Sequence, residues 1–255
     1  MRLQVISVAA LALGWSIAPS SAQADALWWI VNSICVPHEQ LLQDLSVCRY
    51  ARSDTGPDKR FIVFTDLREE ARVLLIPTAR ISGIEDPQIL AADAPNFWQA
   101  AWEARKVLEE RAGGPLARDE IGLAINSIPG RSQDQLHIHV GCIRQSVLRV
   151  LRSHESGIRR TWTRLGARLA GDTYQAIRVE AEDLRETNPF HLLAKIDGMV
   201  PKRMGDQTLV VIGAVFKNGR NGFYILSNDA EPKKGDLAAG EELLDDHCAL
   251  TRSPG

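Results

Sequence analysis

The stretch GRSQDQLHIHVGCIR, residues 130–144, decides the fold. Within it, two histidines alternate with three apolar residues: His137 and His139 with Leu136, Ile138 and Val140. Successive side chains of an extended strand point to opposite faces, so this alternation predicts a strand with one apolar core face. The opposite face would carry both imidazoles, together with Gln135. We therefore predict a strand that presents two groups able to exchange protons near neutral pH.

Neighbouring segments supply partners for this strand. Residues 120–127, EIGLAINS, predict another strand, and the turn IPGRS joins the two as an antiparallel hairpin that ends the central sheet. Runs rich in Val, Ile and Leu predict four more strands, at 60–66, 71–81, 208–217 and 222–229. The first two of these are separated by the charged turn DLREE and predict a second hairpin.

Residues 93–114 predict a helix, with Asp93 or Asn96 as the N-cap and two glycines after the last turn. Its apolar residues fall on one face: Phe97, Ala101, Ala104 and Leu108. We expect Trp98 and Trp102, beside this face, to pack in the core. Further helices are predicted within 27–50, in the basic stretch 146–171 and at 188–197. Strands and helices follow one another without regular alternation, which predicts an α+β fold with a central, mainly antiparallel sheet packed by helices.

The first 24 residues, MRLQVISVAALALGWSIAPSSAQA, have the order of a secretory signal: Arg2, an apolar run, a Pro-Ser break and small residues up to Ala24. We expect cleavage after Ala24, with an uncleaved membrane anchor as the alternative. The apolar run is short for a membrane span, which needs roughly 20 residues. We therefore predict that residues 25–255 form a single domain outside the cytoplasm.

The chain has four cysteines, an even number in an exported protein, which favours two disulfides over metal or thiol chemistry. Three pairings are possible, and buried free thiols are the alternative. We favour Cys35 with Cys48, because they are close in sequence, and Cys142 with Cys248. The second bond would fasten the C-terminal tail to the strand beside the histidines.

The overall charge gives no case for nucleic acid binding. The chain has 30 Lys and Arg residues against 32 Asp and Glu residues, a net charge of −2, and 45% hydrophobic residues. This is an ordinary globular composition, without the excess positive charge that a phosphate backbone attracts. We therefore predict no nucleic acid partner.

The histidine pair has three interpretations. Both side chains could be satisfied in a core, without a chemical role. They could be two zinc ligands, because neutral imidazoles are frequent ligands of zinc. Zinc would need a third ligand, for which five residues are candidates by residue type alone: Asp134, His38, His154, His191 and His247. In the third interpretation, one imidazole attacks phosphorus while its neighbour orients it and nearby donors stabilise the phosphoryl oxygens.

The third interpretation gains from a resemblance. Histidines alternating with apolar residues, after a strand that carries Asn126, resemble the histidine-triad superfamily of nucleotide hydrolases and transferases. The run NSIPGRSQDQLHIHVGC, residues 126–142, is more closely similar to the CDP-diacylglycerol pyrophosphatase family. The exported N-terminus, the helix segment NFWQAAWEAR and the C-terminal DDHC share this similarity. The resemblance implies a histidine-triad-like fold, CDP-diacylglycerol as substrate, and CMP and phosphatidate as products.

The resemblance also implies roles for the residues of the strand. A histidine attacks the phosphorus on the nucleoside side, and water then hydrolyses a cytidylyl-histidine intermediate. If Gln135 occupies the first of three alternating positions, the nucleophile is His137, which we favour. If His137 is first, the nucleophile is His139 and Gly141 is third, since both registers share one strand parity. The implied substrate contacts are Asn126, Arg131, Ser132, Gln133 and Gln135, with a solvated turn residue as an equal interpretation of Arg131. No metal cofactor is required, although a divalent ion could assist.

A lipid substrate further implies a membrane surface as partner, in the bacterial cell envelope on the periplasmic side of the inner membrane. Trp28, Trp29 and Ile30 are candidates for an interfacial contact, although we favour core packing for them. Six arginines could dock on anionic headgroups, with a solvated helix face as the favoured interpretation: Arg149, Arg152, Arg159, Arg160, Arg164 and Arg168. The remaining alternatives are a hydrolase of a soluble nucleotide diphosphate and a zinc-binding envelope protein.

Overall fold

The computed structural model describes residues 24–37, 48–51, 60–65, 71–196 and 198–248. Ten strands in these ranges form one sheet. They are β1 (Cys48–Ala51), β2 (Phe61–Phe64), β3 (Arg72–Pro77), β4 (Ile121–Ile125), β5 (Ile138–Ile143), β6 (Thr163–Leu169), β7 (Asp172–Glu180), β8 (Gln207–Val215), β9 (Asn221–Asp229) and β10 (Leu244–Asp245). The predicted signal segment, apart from Ala24, lies outside the described residues, as do His38 and the charged turn after β2.

Every pairing in the sheet is antiparallel, and the order of the strands is β1-β2-β3-β5-β4-β8-β9-β7-β6. β10 continues the edge of β5 beyond the start of β3, which begins opposite Gly141. The two predicted hairpins, β2 with β3 and β4 with β5, are confirmed. The expectation that β4 and β5 end the sheet is wrong, because β3 and β8 extend it on either side. Both strands are buried on both faces, which suits the interior of a sheet rather than its edge.

Five helices lie in the described ranges: α1 (Ala26–Ile30), continued by a π-helical turn over Val31–Cys35, α2 (Phe97–Ala112), α3 (Gln145–His154), α4 (Pro189–Ala194) and α5 (Pro201–Met204). The predicted helix within 93–114 is confirmed as α2. Asn96 is its N-cap, since its Oδ1 accepts a hydrogen bond from the backbone N–H of Gln99 at 3.2 Å. Gly113 ends the helix with a φ of 85°, which favours glycine.

The face of the sheet opposite the histidines carries the main core. α2 packs there through its predicted apolar residues, and both of its tryptophans are buried. Trp98 meets Phe190 of α4 edge to face, and Trp102 meets Phe223 of β9 in the same way. Core packing of these two tryptophans is therefore confirmed.

The histidine face carries two separate apolar clusters. One packs α1 and the π-helical turn on β2 and β3, through Leu27, Val31, Cys35, Cys48, Ile62 and Ile76. The other packs α3, Leu243 and Leu244 on the strands that follow β5 in the sheet: β4, β8, β9, β7 and β6. β5 contributes only Ile143, at its end, to the second cluster and otherwise lies between the strands that these clusters cover. The polar groups of its histidine face therefore gather in the gap between two apolar regions.

Two segments predicted as helical are partly strand. Within 27–50, Cys48–Ala51 forms β1 and pairs with β2. Within 146–171, α3 ends at His154 and Thr163–Leu169 forms the edge strand β6. Leu165 and Leu169 of β6 are buried, and their spacing fits a helix as well as a strand, so pairing with β7 decides between them. The six arginines of this stretch are consequently divided among α3, a loop and β6 and do not share one helix face.

Both disulfides pair as predicted. Cys35 is bonded to Cys48 across a sequence separation of 13, which joins the π-helical turn to β1. Cys142 is bonded to Cys248 across a separation of 106, which joins β5 to the residues after β10. No helix in the described ranges is long and apolar enough to cross a membrane.

Candidate active site

The residues at the start of β5 present both histidines on one face of the sheet, as predicted. His137 and His139 have relative exposures of 9% and 7%, and their ring centroids lie 4.9 Å apart at an interplanar angle of 68°. In the ladder, His139 stands between Leu74 of β3 and Ala124 of β4. Both imidazoles therefore occupy the middle of the sheet and are nearly buried.

His137 is held in one tautomer by the chain beside it. Its Nδ1 lies 2.7 Å from the backbone carbonyl oxygen of Gln135, which can only accept a hydrogen bond. Nδ1 therefore donates, and Nε2 keeps its lone pair. Burial lowers the pKa of His137 below its ordinary value of 6.5, although the Gln135 carbonyl and the Glu241 carboxylate oppose this effect. A neutral imidazole of this kind can act as a nucleophile or general base at neutral pH.

His139 has open hydrogen-bonding capacity. Both of its ring nitrogens are buried, and neither has a hydrogen-bond partner in the part of the chain that the structure describes. Glu241 Oε2 lies 3.4 Å from Nδ1. Burial lowers the pKa of His139 well below 6.5, and the nearby groups His137 and Arg72 act in the same direction. His139 is therefore a neutral base whose ring nitrogens can be satisfied by a bound molecule.

A network that the sequence analysis missed adjoins His139. Arg72 of β3 is 8% exposed, and it donates from Nη1 to Glu241 Oε2 at 2.8 Å and from Nη2 to Asp246. Asn126 donates from Nδ2 to Glu241 Oε1 at 2.8 Å and accepts from the backbone N–H of Glu241 at 3.2 Å. The predicted residue Asn126 thus joins three residues that had not been predicted. An arginine inside the apolar strand RVLLIP was a usable signal, and Asp246 lies in DDHC, but nothing in the sequence marked Glu241.

The C-terminal segment, residues 237–248, brings this carboxylate to the histidines. The carbonyl oxygen of Ala238 accepts from the backbone N–H of Ser127 at 3.1 Å. Gly240 packs so tightly on β8 that an added Cβ would lie 2.3 Å from Thr208 Oγ1. β10 then pairs with β5, and the longer disulfide completes the attachment. Glu241 follows Gly240 directly, so contacts before and after it in the chain hold its carboxylate beside the histidines.

Arg131, predicted to contact phosphate, is engaged by two carboxylates. Its guanidinium donates to both carboxylate oxygens of Glu85, at 2.6 and 2.9 Å, and to Asp134 at 2.9 and 3.1 Å. Its side chain is only 9% exposed. The neighbouring Ser132 is exposed. The structure thus uses Arg131 to fasten the loop after β4 and leaves Ser132 at the surface.

The two predicted glutamines also bind the backbone. Gln133 Oε1 accepts from the backbone N–H of Leu27, in the first turn of α1, at 2.8 Å. Gln135 is fully buried, and its Nε2 donates to the carbonyl oxygens of Pro77 and Ala79, both at 2.9 Å. Gln133 therefore anchors α1, and Gln135 joins the histidine strand to the end of β3.

Within the described ranges, no group of three or more His, Cys, Asp and Glu side chains is arranged to hold a metal ion. Among the third-ligand candidates, Asp134 is bound by Arg131, and His154 Nδ1 lies 3.0 Å from the carbonyl oxygen of Val150. The others are dispersed: His191 on α4, His247 after β10, and His38 outside the described residues.

Together these features define a class of protein, an α+β enzyme whose antiparallel sheet presents a neutral histidine pair beside a clamped carboxylate. Such a site can attack an electrophile and move a proton. The chain belongs to the CDP-diacylglycerol pyrophosphatase family, whose model matches residues 22–252. It is similar to the CDP-diacylglycerol pyrophosphatase of Yersinia pestis, with 38% identity over 229 residues that cover 90% of this chain and 86% of that protein. The family resemblance of the sequence is confirmed, and with it the assignment as a hydrolase of a pyrophosphate bond.

Proposed function

We propose that this chain hydrolyses the pyrophosphate bond of CDP-diacylglycerol to CMP and phosphatidate, with His137 as the nucleophile. Family membership supports the reaction. One contact carries the assignment of the nucleophile, the 2.7 Å hydrogen bond between His137 Nδ1 and the Gln135 carbonyl oxygen. Because Nδ1 holds the proton, the lone pair on Nε2 is available to attack phosphorus.

The choice between the two registers rests on what holds each imidazole. His137 has a fixed donor position, whereas no carbonyl in the described residues binds a ring nitrogen of His139. An attacking imidazole needs a defined tautomer and orientation, and among the two histidines only His137 already has a formed hydrogen bond that supplies them. In this register Gln135 takes the first alternating position. His139 is then the neighbouring group that exchanges a proton.

The proposed chemistry has two displacements at one phosphorus atom. His137 Nε2 attacks the phosphorus on the cytidine side, the bond to the bridging oxygen breaks, and its electron pair leaves with phosphatidate. Water then attacks the same phosphorus, and the electron pair of the P–N bond returns to Nε2 as CMP is released. The protein supplies the nucleophile itself, so the scheme requires no resident metal ion. A divalent ion could still neutralise the pyrophosphate, and the rate before and after treatment with a chelator measures that contribution.

The predicted substrate contacts divide into two groups. Arg131 and Gln133 use their polar atoms on carboxylates and on the backbone of α1, which supports a role in shaping the loop. Asn126 is bound to Glu241, which supports a role in orienting that carboxylate. Ser132 is exposed on the same loop. Gln135 donates to the carbonyl oxygens at the end of β3, which supports a role in holding the histidine strand. We therefore assign a direct phosphate contact to Ser132 and indirect roles to the other four.

We also propose that the protein acts at the membrane surface, on the periplasmic side of the bacterial inner membrane. Its two disulfides suit an oxidising compartment. Apolar side chains surround the loop that leads to the histidines: Ile128 on the loop is 45% exposed, Leu237 beside it 44%, and Trp29 on α1 59%. Ser127 binds the carbonyl oxygen of Leu237, and Gln133 binds α1, so all three are tied to this loop. The expected core packing is wrong for Trp29, and the exposed rim suits acyl chains next to a headgroup site.

The reaction is tested by turnover of the purified protein with CDP-diacylglycerol in mixed micelles, following the release of CMP. We expect His137→Ala to lose at least roughly 100-fold in rate, since it removes the nucleophile. His154→Ala, on α3, is the matched control and should keep the wild-type rate. In water enriched in heavy oxygen, the label should enter CMP. Label in phosphatidate, or an active His137→Ala variant, would overturn the assignment.

Two further measurements separate the alternatives. A soluble cytidine diphosphate ester without acyl chains serves as a second substrate for wild type and Trp29→Ser. We expect Trp29→Ser to lower kcat/KM for the micellar lipid and not for the soluble ester. Equal effects on both substrates would favour a hydrolase of soluble nucleotides. Metal analysis of the purified protein addresses the zinc-binding alternative, for which a stoichiometric, tightly held ion would be the supporting result.

A further inference from the structure

Glu241 reaches the histidine pair from the far end of the chain, and the mechanism above gives it no task. We infer that Glu241 is a positioning residue, which orients His139 to accept the proton of the attacking water and is itself clamped by Arg72 and Asn126. This inference rests on the proposed function, because it concerns the second displacement at phosphorus. It adds to the site a carboxylate and a guanidinium from segments that the histidine motif does not contain.

Both oxygens of the Glu241 carboxylate have fixed partners. Oε1 accepts from Asn126 Nδ2 at 2.8 Å, and Oε2 accepts from Arg72 Nη1 at 2.8 Å. The backbone N–H of Glu241 donates to Asn126 Oδ1, so side chain and main chain are held by one amide. A carboxylate with this many partners has one orientation, in which Oε2 lies 3.4 Å from His139 Nδ1. Tightening this contact when substrate fills the site would make it a hydrogen bond.

Once tightened into a hydrogen bond, this contact would select one tautomer of His139. A carboxylate oxygen only accepts, so Nδ1 must carry the proton and Nε2 must hold the lone pair. His139 has no other hydrogen-bond partner among the described residues to make this choice. Its Nε2 is thus the atom that can take a proton from water. His137 and His139 would then share one tautomer, fixed by a carbonyl in the first and by a carboxylate in the second.

Arg72 opposes the tendency of this carboxylate to stabilise the protonated form of His139. An unpaired carboxylate beside a histidine favours the imidazolium, which cannot act as a base. Here the Arg72 guanidinium balances the Glu241 charge, and Asp246 in turn contacts Arg72. The charged and titratable groups around His139 are therefore Arg72 from β3, His137 just before β5, and Glu241 from the C-terminal segment, with Asp246 on the other side of Arg72. His139 remains neutral in this surrounding, which is the form that the second displacement needs.

The step balances as follows. The oxygen of water bonds to the phosphorus of the cytidylyl group, and one proton of water passes to His139 Nε2. The P–N bond breaks, and its electron pair returns to His137 Nε2. CMP leaves, and His139 gives its proton to solvent. Glu241 keeps its charge throughout, because it orients the base without accepting the proton.

The test compares Glu241→Gln with wild type in rapid-quench experiments, using CDP-diacylglycerol labelled at the cytidine-side phosphate. We expect the first phosphatidate to leave at the wild-type rate while CMP release slows roughly 10- to 100-fold, less than the loss of a general base itself. Labelled cytidylyl-enzyme should therefore accumulate. The acid limb of the pH profile should move to lower pH, since removal of the carboxylate leaves the Arg72 charge to disfavour imidazolium. Glu242→Gln, an exposed neighbour in the same segment, is the matched control and should behave as wild type.

The outcomes distinguish this inference from the proposed function. Wild type that forms no cytidylyl-enzyme, together with an active His137→Ala variant, refutes the proposed function. Normal labelling of wild type, with CMP released by Glu241→Gln at the wild-type rate, refutes the role of Glu241 alone. Equal slowing of both steps would also overturn it, because a purely structural role predicts that result. Thermal unfolding of each variant verifies that the comparison is between folded proteins.

Discussion

The two disulfides offer a matched pair of perturbations with different predicted effects. All four cysteines are buried, with exposures of at most 4%, so replacing either pair by alanine removes similar side-chain contacts. The loops that the bonds close do not overlap and have sequence separations of 13 and 106. The chain-entropy relation gives about 3 kcal/mol for the short loop and about 4.7 kcal/mol for the long one. We therefore expect Cys142→Ala/Cys248→Ala to lower the free energy of unfolding by about 2 kcal/mol more than Cys35→Ala/Cys48→Ala.

The assay is equilibrium unfolding in urea of the wild type and the two double variants, each with its remaining disulfide intact. If the same proteins are unfolded by heat, a difference of about 2 kcal/mol in a domain of this size corresponds to roughly 4 to 8 °C in Tm. CMP release is measured on the same samples below the transition. The long bond holds the segment that carries Glu241 and Asp246, whereas the short bond holds α1 to β1. We expect loss of the long bond, in Cys142→Ala/Cys248→Ala, to reduce turnover by at least roughly 10-fold, because misplaced supporting groups disturb the reacting geometry.

The reasoning would be refuted by the reverse order of stabilities, or by equal stabilities, since loop length would then not govern the stabilisation. Normal turnover of a folded Cys142→Ala/Cys248→Ala variant would show that hydrogen bonds alone hold the C-terminal segment in place. Those bonds include the one from the backbone N–H of Arg144 to the carbonyl oxygen of Leu243, at 3.0 Å. The short-loop variant serves as the control for both readouts.

Three other predictions follow from particular contacts. Gly240→Ala should lower the free energy of unfolding by about 1 to 3 kcal/mol, because the added Cβ would overlap Thr208. Gly157→Ala is the control, since an added Cβ there meets open space, and it should leave the free energy of unfolding nearly unchanged in the same urea titration. Asn96→Ala should lower the free energy of unfolding by about 2 kcal/mol, because Asn96 caps α2 and also donates to two carbonyl oxygens. Asn96→Asp keeps the cap and loses the two donated bonds, so it should recover only part of this loss. Full recovery by Asn96→Asp would contradict the role of the donated bonds. Burial lowers the pKa of His137 below 6.5, so kcat/KM should stay constant down to about pH 6.5 and fall only below it. The free energy of unfolding should decline over the same acidic range, because the unfolded chain binds protons there before the folded protein does; an acid limb centred above pH 6.5 would contradict the argument.

The fold was predictable where the signal is local. Alternation along residues 135–140 gave the face of each side chain, since the period of a strand does not depend on what surrounds it. The apolar face of α2 and its glycine end were equally local. The stretch 146–171 was mispredicted, because an edge strand and a helix can share an apolar spacing of four residues and only pairing with β7 separates them.

The candidate site was predictable in part. His137, His139 and Gln135 follow from one motif, and Asn126 follows from the family resemblance. Arg131 carried the right chemistry for phosphate, yet its guanidinium is engaged by Glu85 and Asp134. A sequence lists an arginine without its partners, so whether its donors face substrate or a carboxylate depends on the folded loop.

The sequence by itself determined the histidine strand, the main helix, the family and, through the even count of cysteines, the expectation of two disulfides, whose favoured pairing the structure confirms. These depend on side-chain period, caps and motifs that lie within short segments. Only the tertiary structure decided the order of the strands and the meeting of Arg72, Asn126 and Glu241, which are separated by up to 169 positions. Such contacts have no local signal, because they exist only once β3 and β4 flank β5 and the C-terminal segment closes over the histidines.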